Sequence, residues 1–268
     1  MKLKDFYRNK VVMITGGSSG IGKELARQCL EMGAIVIVTG RNAERISEVK
    51  KELGALGEFF AVISDSVNYQ GNVDLMDMIN RAYGGLDVLI TNAGLSAYGE
   101  GAQSHPKVLK EIIDVNIYGS LFPAMAAFPM LLKKGGALLF VSSIAGFQGL
   151  PGYSAYSMSK MSLKALAQSM NAEVKNTKVF VGIAYVGFTE NEKSKRTLSP
   201  DGVWMEVPAR PELFTSTREQ TAKKLLIQVM KRKHSVIHSF LGKTTHTLVR
   251  LFPSLIRWVM KKNYKPGM

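Results

Sequence analysis

Short, almost uninterrupted runs of Val, Ile, Leu and Phe recur along the chain at 11–15, 35–39, 59–63, 88–91, 137–141 and 179–184. Continuous apolar runs of strand length are what a parallel sheet buried on both faces requires. Between them lie segments of helical length, roughly 20–32, 42–54, 72–83, 106–133 and 154–175. This alternation predicts an α/β fold: a doubly wound parallel sheet of about seven strands with helices on both faces. A seventh strand is expected at 235–240, after a helix near 217–232. The one long irregular connection, 190–213, carries Pro200, Gly202, Pro208 and Pro211, and loops of this length suit a lid or a binding segment.

Composition narrows the picture. An apolar fraction of 46% over 268 residues supports a full core and excludes general disorder. The single cysteine, Cys29, excludes an internal disulfide framework and a Cys-based zinc site, and fits a reducing, cytoplasmic compartment. The N-terminus, MKLKDFYRNKVVMIT, lacks the apolar stretch of a secretory signal, and no uninterrupted apolar run approaches the ~18 residues of a membrane span. The net charge of +14 is unevenly distributed: from Gln220 onward there are eleven basic residues and no acidic one, which leaves only +3 on residues 1–219. The basicity therefore bears on what the C-terminal region touches.

Two constellations carry candidate chemistry. VVMITGGSSGIGKEL places Gly16, Gly20 and Gly22 between a strand and a helix. Glycines there permit positive φ and a close backbone approach to a pyrophosphate, and the helix N-terminus favours the same anion. The next strand ends in Gly40 and Arg41. A guanidinium in that place, with no carboxylate for a ribose 2′-hydroxyl, suits the 2′-phosphate of NADP, so NADPH is expected over NAD. The second constellation is GYSAYSMSK. On a helix, Tyr156 and Lys160 are four apart and share a face. Tyr153 is seven from Lys160, so helical spacing alone does not separate the two tyrosines. An ammonium beside a phenol favours the phenolate and makes a usable proton donor and acceptor for carbonyl chemistry. Ser142 and Ser143 end the fifth strand, where a hydroxyl could bond the reacting oxygen.

Together these residues resemble the short-chain dehydrogenase/reductase family. The matching motifs are TGGSSGIG at 15–22, Asp65 after the third strand, TNAG at 91–94, VN at 115–116, SS at 142–143 and YSMSK at 156–160, in family order over roughly 1–190. The resemblance implies Tyr156 as general acid–base, Lys160 as its partner and ribose ligand, Ser143 as the carbonyl-orienting serine, and Asn116 as the anchor of a proton relay. It implies cofactor contacts at Thr15, Gly16, Ser18, Ser19, Gly20, Ile21, Gly22, Arg41, Asp65, Asn92, Ala93 and Gly94, with Tyr156 and Lys160. After the sixth strand Val186 stands where the family has proline, followed by Gly187; Thr189 comes early, and Asn191 takes the customary spacing of the cofactor-contacting threonine. Val186, Gly187 and Thr189 are the expected contacts there. Members acting on sphingoid ketones and on steroids vary at this point. The short motifs GSSGIGK, YGSLFP and VFVGIAY are similar to those of 3-ketodihydrosphingosine reductases, and the Val-Gly pair to those of 11-beta-hydroxysteroid dehydrogenases. Paired subunits are the family habit, so a homo-oligomer is expected.

The expected organisation is one dinucleotide-binding domain over 1–242, including the loop 190–213 with Trp204, Met205 and Val207 as pocket candidates, and a basic amphipathic extension over 243–268. On one continuous helix, Lys243, Arg250, Arg257 and Lys261 would form a stripe opposite Leu248, Leu251, Phe252, Leu255, Ile256 and Val259, with Pro253 bending or restarting it. Such a helix suits an anionic membrane surface, at the cytoplasmic face, or packs on the domain or a subunit. Nucleic acid is a poor partner, because stacking platforms are absent. His234, His238 and His246 lack a completing carboxylate, and no metal is expected. The expected reaction is NADPH-dependent interconversion of a ketone and a secondary alcohol on a hydrophobic substrate, a long-chain 3-keto sphingoid base or similar lipid. A hydroxysteroid or a broader carbonyl or 3-oxoacyl substrate is the enzymatic alternative. A non-catalytic cofactor sensor is the other, against which the intact Ser143, Tyr156 and Lys160 set argues.

Overall fold

The computed structural model describes residues 1–192, 195–209 and 212–264. Pro211 of the long connection and residues 265–268 of the extension lie outside the described residues. The six apolar runs form β1 (Val11–Thr15), β2 (Ile35–Gly40), β3 (Phe59–Ile63), β4 (Val88–Thr91), β5 (Ala137–Ser143) and β6 (Phe180–Val186). The connection 190–213 is not irregular throughout: it holds a short antiparallel hairpin, β7 (Arg196–Leu198) and β8 (Trp204–Glu206). A last strand, β9 (Ser235–Ile237), completes a seven-stranded sheet in the order β3-β2-β1-β4-β5-β6-β9, parallel at every pairing. The strand order reverses between β1 and β4, and a crevice at the carboxyl ends of the strands follows from that reversal.

The helices are α1 (Leu3–Tyr7), α2 (Gly20–Glu31), α3 (Ala43–Leu53), α4 (Tyr69–Tyr83), α5 (Pro106–Ile113), α6 (Gly119–Lys134), α7 (Ser154–Glu173), α8 (Arg218–Met230), α9 (Phe240–Leu251) and α10 (Pro253–Asn263). Alternate strand residues serve opposite layers. Val12, Ile14, Val36 and Val38 bury against Leu25 and Cys29 of α2, Val49 of α3 and Leu225 of α8. Val11, Met13, Leu138 and Phe140 bury against Leu75 of α4, Leu131 of α6 and Leu163 of α7. Continuous apolar runs are thus a direct result of having a core on each side. Cys29 is fully buried in the first layer, and burial pushes its thiol pKa up.

Several boundaries depart from the sequence pattern for local reasons. β3 is an edge strand, not a buried one: Phe60 and Ile63 are exposed at the margin of the sheet, one on each face. The seventh strand ends at Ile237 because the Ser239 side chain accepts from Gly242 N at 3.0 Å and starts α9. α4 starts three residues early, where Asn68 Oδ1 accepts from Gly71 N at 3.0 Å. The expected helix 106–133 is interrupted by one wide π-helical turn over Asp114–Tyr118, a feature that often marks functional positions. By length and composition Pro106–Lys134 is long and apolar enough to cross a membrane, although it lacks an uninterrupted apolar run; here its apolar residues Ala124, Ala127 and Leu131 are core.

The extension does not form one helix. α9 stops at Leu251 and α10 restarts at Pro253, so the expected single cationic stripe is divided. Gly242 fits tightly against the domain, since a Cβ there would stand 2.7 Å from Ile237 and 2.9 Å from Ile144. The His246 ring packs edge-on against Phe147 at 5.1 Å. α10 and residues 148–161 border an open apolar cleft of about 540 Å³, lined by Leu150, Met158, Met161 and Met260 with Arg257 and Lys261. The other histidines also serve packing: His234 Nδ1 meets Val181 O at 2.9 Å, and His238 Nε2 meets Gln228 Oε1 at 2.7 Å. Burial, helped by the charges of Lys224 and Lys243, lowers His238 to about 4.

α1 is held by one buried polar contact, the Tyr7 hydroxyl donating to Leu226 O of α8 at 3.0 Å. Tyr7→Phe removes this bond and keeps the ring, so it should cost about 1 kcal/mol of unfolding free energy in a denaturant titration. An unchanged midpoint would mean that the contact contributes nothing to the docking of α1.

Candidate active site

The crevice is built on the turn between β1 and α2. Gly16 has φ +64° and Gly20 φ +54°, the left-handed region that excludes most side chains. A Cβ on Gly22 would stand 2.2 Å from Gly16 O and 2.6 Å from Asn92 Nδ2, so only glycine lets α2 approach β1 and β4 this closely. At Gly20, by contrast, no atom lies within 4 Å of the missing Cβ, which leaves open space beside the turn. Ser18 sits with its Oγ 2.9 Å from the Cβ position of Gly40, and Ser19, in extended conformation, precedes the first turn of α2, where Ile21 is half-buried.

Thr15 and Asn92 tie this turn to the end of β4. Thr15 Oγ1 accepts from both Asn92 N and Ala93 N at 3.1 Å. Asn92 Nδ2 donates to Thr15 O at 3.2 Å and to Gly16 O at 3.1 Å. The tie brings Ala93 so near that a Cβ on Gly16 would stand 2.8 Å from Ala93 Cα. Arg41 is exposed just beyond β2. Asp65 follows β3 and uses Oδ1 to accept from Val67 N at 3.2 Å.

Across the crevice, α7 delivers Tyr156 and Lys160. Lys160 is 5% exposed, its Nζ donates to Val141 O at 3.1 Å and lies 5.9 Å from the centre of the Tyr156 ring. A Cβ on Gly94 would stand 3.2 Å from this ammonium and 3.3 Å from Asn116 Oδ1, so the segment after β4 passes tightly beside both. Burial, with a smaller contribution from the Lys195 charge, lowers the Lys160 pKa to about 8. Asn116 stands on the π turn and is fully buried. Its Oδ1 accepts from Leu95 N at 2.7 Å, while Nδ2 donates to Leu95 O and to Ser159 Oγ at 2.8 Å. Ser159 in turn donates to Tyr156 O at 2.8 Å, a link that no spacing rule signalled.

The two serines and the two tyrosines stand in different surroundings. Ser142 is buried and donates to Lys160 O at 2.9 Å, stapling α7 to β5. Ser143, half-buried at the strand end, accepts from Ala145 N at 3.3 Å, and its hydroxyl proton has no acceptor among the described residues. Tyr153 precedes α7, its ring 4.9 Å from that of Tyr98 and 6.4 Å from that of Tyr156.

After β6 the residues separate. Val186 pairs with Ser143 in the sheet register. A Cβ on Gly187 would meet Ser239 at 2.4 Å, so this glycine accommodates the start of α9. Thr189 is buried with its Oγ1 3.2 Å from Thr221 Oγ1 of α8, whereas Asn191 Oδ1 is buried without a partner among the described residues. A contact missed from sequence lies next to it. Glu192 Oε1 accepts from Gly20 N at 2.8 Å and from Arg218 Nη1 at 3.0 Å. A separation of 172 positions between Glu192 and Gly20 left no local signal of this contact.

A glycine turn at the reversal of a parallel sheet, open at Gly20 and faced by Tyr156 and Lys160, defines a dinucleotide-dependent oxidoreductase architecture. The family model for short chain dehydrogenases matches residues 10–201, and the chain belongs to the short-chain dehydrogenase/reductase family of NAD(P)-dependent oxidoreductases. It is 32% identical to "Dehydrogenase/reductase SDR family member 7B" of Danio rerio over 94% of this chain and 85% of that protein. It is 33% identical to the 3-ketodihydrosphingosine reductase of Bos taurus over 69% of this chain and 59% of that protein. A short chain dehydrogenase/reductase from Burkholderia phymatum, solved with NAD, shares the fold at TM-score 0.80 and 18% identity, over 93% of this chain and 96% of that one. An alcohol dehydrogenase from Thermococcus sibiricus, complexed with 5-hydroxy-NADP, superposes at TM-score 0.74 and 21% identity, over 87% and 97%.

Burial of Lys160 has a measurable sign. The folded chain binds this proton less tightly than the unfolded chain, whose lysine keeps the ordinary value near 10.5. The charge therefore opposes folding below pH 8, and the penalty fades as pH rises toward 10.5. Lys160→Met in cofactor-free protein should raise stability by about 1–3 kcal/mol at pH 7. Denaturant midpoints should converge between pH 8 and 10; a pH-independent gap, or a less stable variant at pH 7, would contradict this account.

Proposed function

We propose that the protein uses NADPH to reduce a ketone on a long-chain lipid, with a 3-keto sphingoid base as the leading substrate class. The observation that carries the reading is the convergence of Ser143, Tyr156 and the buried Lys160 on the carboxyl side of β5, next to the glycine turn. Thr15, Gly16, Ser18, Ser19, Gly20, Ile21, Gly22, Asp65, Asn92, Ala93 and Gly94 would hold the dinucleotide, with Val186 and Gly187 bordering it. Asn191 fits its carboxamide side better than Thr189, because Thr189 Oγ1 already faces Thr221 while Asn191 Oδ1 is buried and unpartnered among the described residues. Arg41, exposed after β2, supports the 2′-phosphate and hence NADPH.

When bound, the reduced nicotinamide supplies the hydride. The chain supplies the proton and the geometry. Ser143 donates to the substrate oxygen and orients the carbonyl. Tyr156 gives its phenolic proton to that oxygen as negative charge develops there, and the Lys160 ammonium stabilises the resulting phenolate. Asn116 acts by position: its amide fixes Leu95 beside Gly94 and, through Ser159, the backbone of Tyr156.

A lipid substrate is supported by the sphingoid-ketone reductase relatives and by the hairpin after β6. Leu198 of the hairpin buries with Leu95, Ala97, Val108, Ile112 and Ala155, making an apolar wall beside the site. Of the pocket candidates, Trp204 is exposed and Met205 and Val207 are half-buried. The C-terminal helices support work at an anionic bilayer on its cytoplasmic face: Leu251 is 65% and Trp258 58% exposed, and the chain from Gln220 onward has eleven basic residues and no acidic one. The cleft under α10 is not the active site, because Met158 and Met161 line it from the face of α7 away from Tyr156 and Lys160.

NADPH consumption measured with a long-chain 3-keto amine, ketosteroids and small ketones should be fastest with the 3-keto amine and slower with NADH. Tyr156→Phe should reduce that rate by about 10²–10⁴. Near-normal turnover in this variant, or a preference for small ketones, would reject the reading. Separately, the wild type should sediment with vesicles containing phosphatidylserine, and Leu251→Glu/Trp258→Glu should stay in the supernatant. Equal sedimentation of the two proteins would reject the membrane surface as partner.

A further inference from the structure

The glycine turn is met by a carboxylate from the loop after β6. Glu192 Oε1 accepts the N–H of Gly20 at 2.8 Å and Nη1 of Arg218 at 3.0 Å, with Lys23 Nζ 4.0 Å away. The Glu192 side chain is only 19% exposed, so this is not a loose surface pair. Arg218 anchors the arrangement from the start of α8, since its Nε and its backbone N both donate to Glu190 Oε1, at 3.1 and 3.0 Å. A helix N-terminus and two cations gather negative charge at one place. Glu192 brings one negative charge there, and a dinucleotide brings two on a diphosphate with more acceptor oxygens. The Oδ1 of the adjoining Asn191 is buried and has no hydrogen-bond partner among the described residues.

We infer that Glu192 is an internal stand-in for the cofactor's diphosphate: it holds the anion position of the glycine turn until the dinucleotide displaces it, and Arg218 and Lys23 then pass to the diphosphate. The inference rests on the dinucleotide reading above. It makes cofactor affinity the product of intrinsic binding and the fraction of molecules in which Glu192 has let go. It also couples the two ends of the site. The two ends are the diphosphate corner, where Glu192 sits, and the substrate side, so substrate contacts that favour release of Glu192 would strengthen cofactor binding in return.

Calorimetric titration of NADP⁺ into wild type, Glu192→Gln and Glu192→Ala tests this without turnover. Both variants should bind NADP⁺ about tenfold more tightly, the effect of removing one competing charge-assisted contact. Adenosine 2′-phosphate, which lacks the diphosphate, should bind all three proteins within about twofold, as it does not meet the displaced group. Adding Arg218→Gln to Glu192→Gln should weaken NADP⁺ again, because the arginine then serves the diphosphate. Unchanged or weaker NADP⁺ binding in both Glu192 variants overturns the stand-in and leaves the dinucleotide reading intact. Equal tightening toward adenosine 2′-phosphate overturns it too, by reducing the effect to general electrostatics. No NADP⁺ binding by any of the proteins overturns the dinucleotide reading, and the stand-in with it.

Discussion

The clamp between Thr15 and Asn92 is the constraint on which the rest of the site depends. One hydroxyl accepts two backbone N–H groups from the end of β4, and one amide returns two bonds to the end of β1. A parallel sheet leaves these strand ends apart, because α2 and the later helices pull the chain to opposite faces after each strand. The clamp holds the two departures in register. The glycines then follow as necessities: Gly22 because the Asn92 amide stands where its side chain would be, and Gly16 because Ala93 does.

On the other wall of the crevice, a charge is kept where a charge is costly. The Lys160 ammonium is buried with Val141 O as its hydrogen-bond acceptor, and further hydrogen bonds tie the surrounding backbone together. Ser142 fixes the lysine's own backbone to β5, while Asn116 and Ser159 fix the backbone of Tyr156. The π turn belongs to this scaffold. A regular helix over 106–134 would place Asn116 differently, and the widened turn directs its amide at Leu95.

The sequence made the sheet readable because both faces are buried, so apolar runs appear without interruption. It misjudged β3 for the same reason: an edge strand can be as apolar as a central one, and only the folded chain shows that Phe60 is exposed. The glycine turn, Ser143, Tyr156 and Lys160 were legible because each lies in a short motif on one strand–helix unit. Asn191 and Thr189 could not be separated by spacing, since the difference lies in what each side chain meets after the chain turns, Thr221 in one case and no protein partner among the described residues in the other. The Glu192 contact was invisible for a plainer reason: its partners, Gly20 and Arg218, come from two elements that only the folded sheet brings together. The tail pattern survived in part, but Pro253 split the single stripe drawn from angular spacing.

The burial of Cys29 has a practical consequence. It is the only cysteine in the chain, it has no solvent exposure, and its thiol resists ionisation. The native protein is therefore blank toward thiol-directed reagents. A single cysteine engineered on the hairpin or on the outer face of α10 would take up a fluorophore or spin label alone, giving a clean optical or magnetic reporter without removing any native residue.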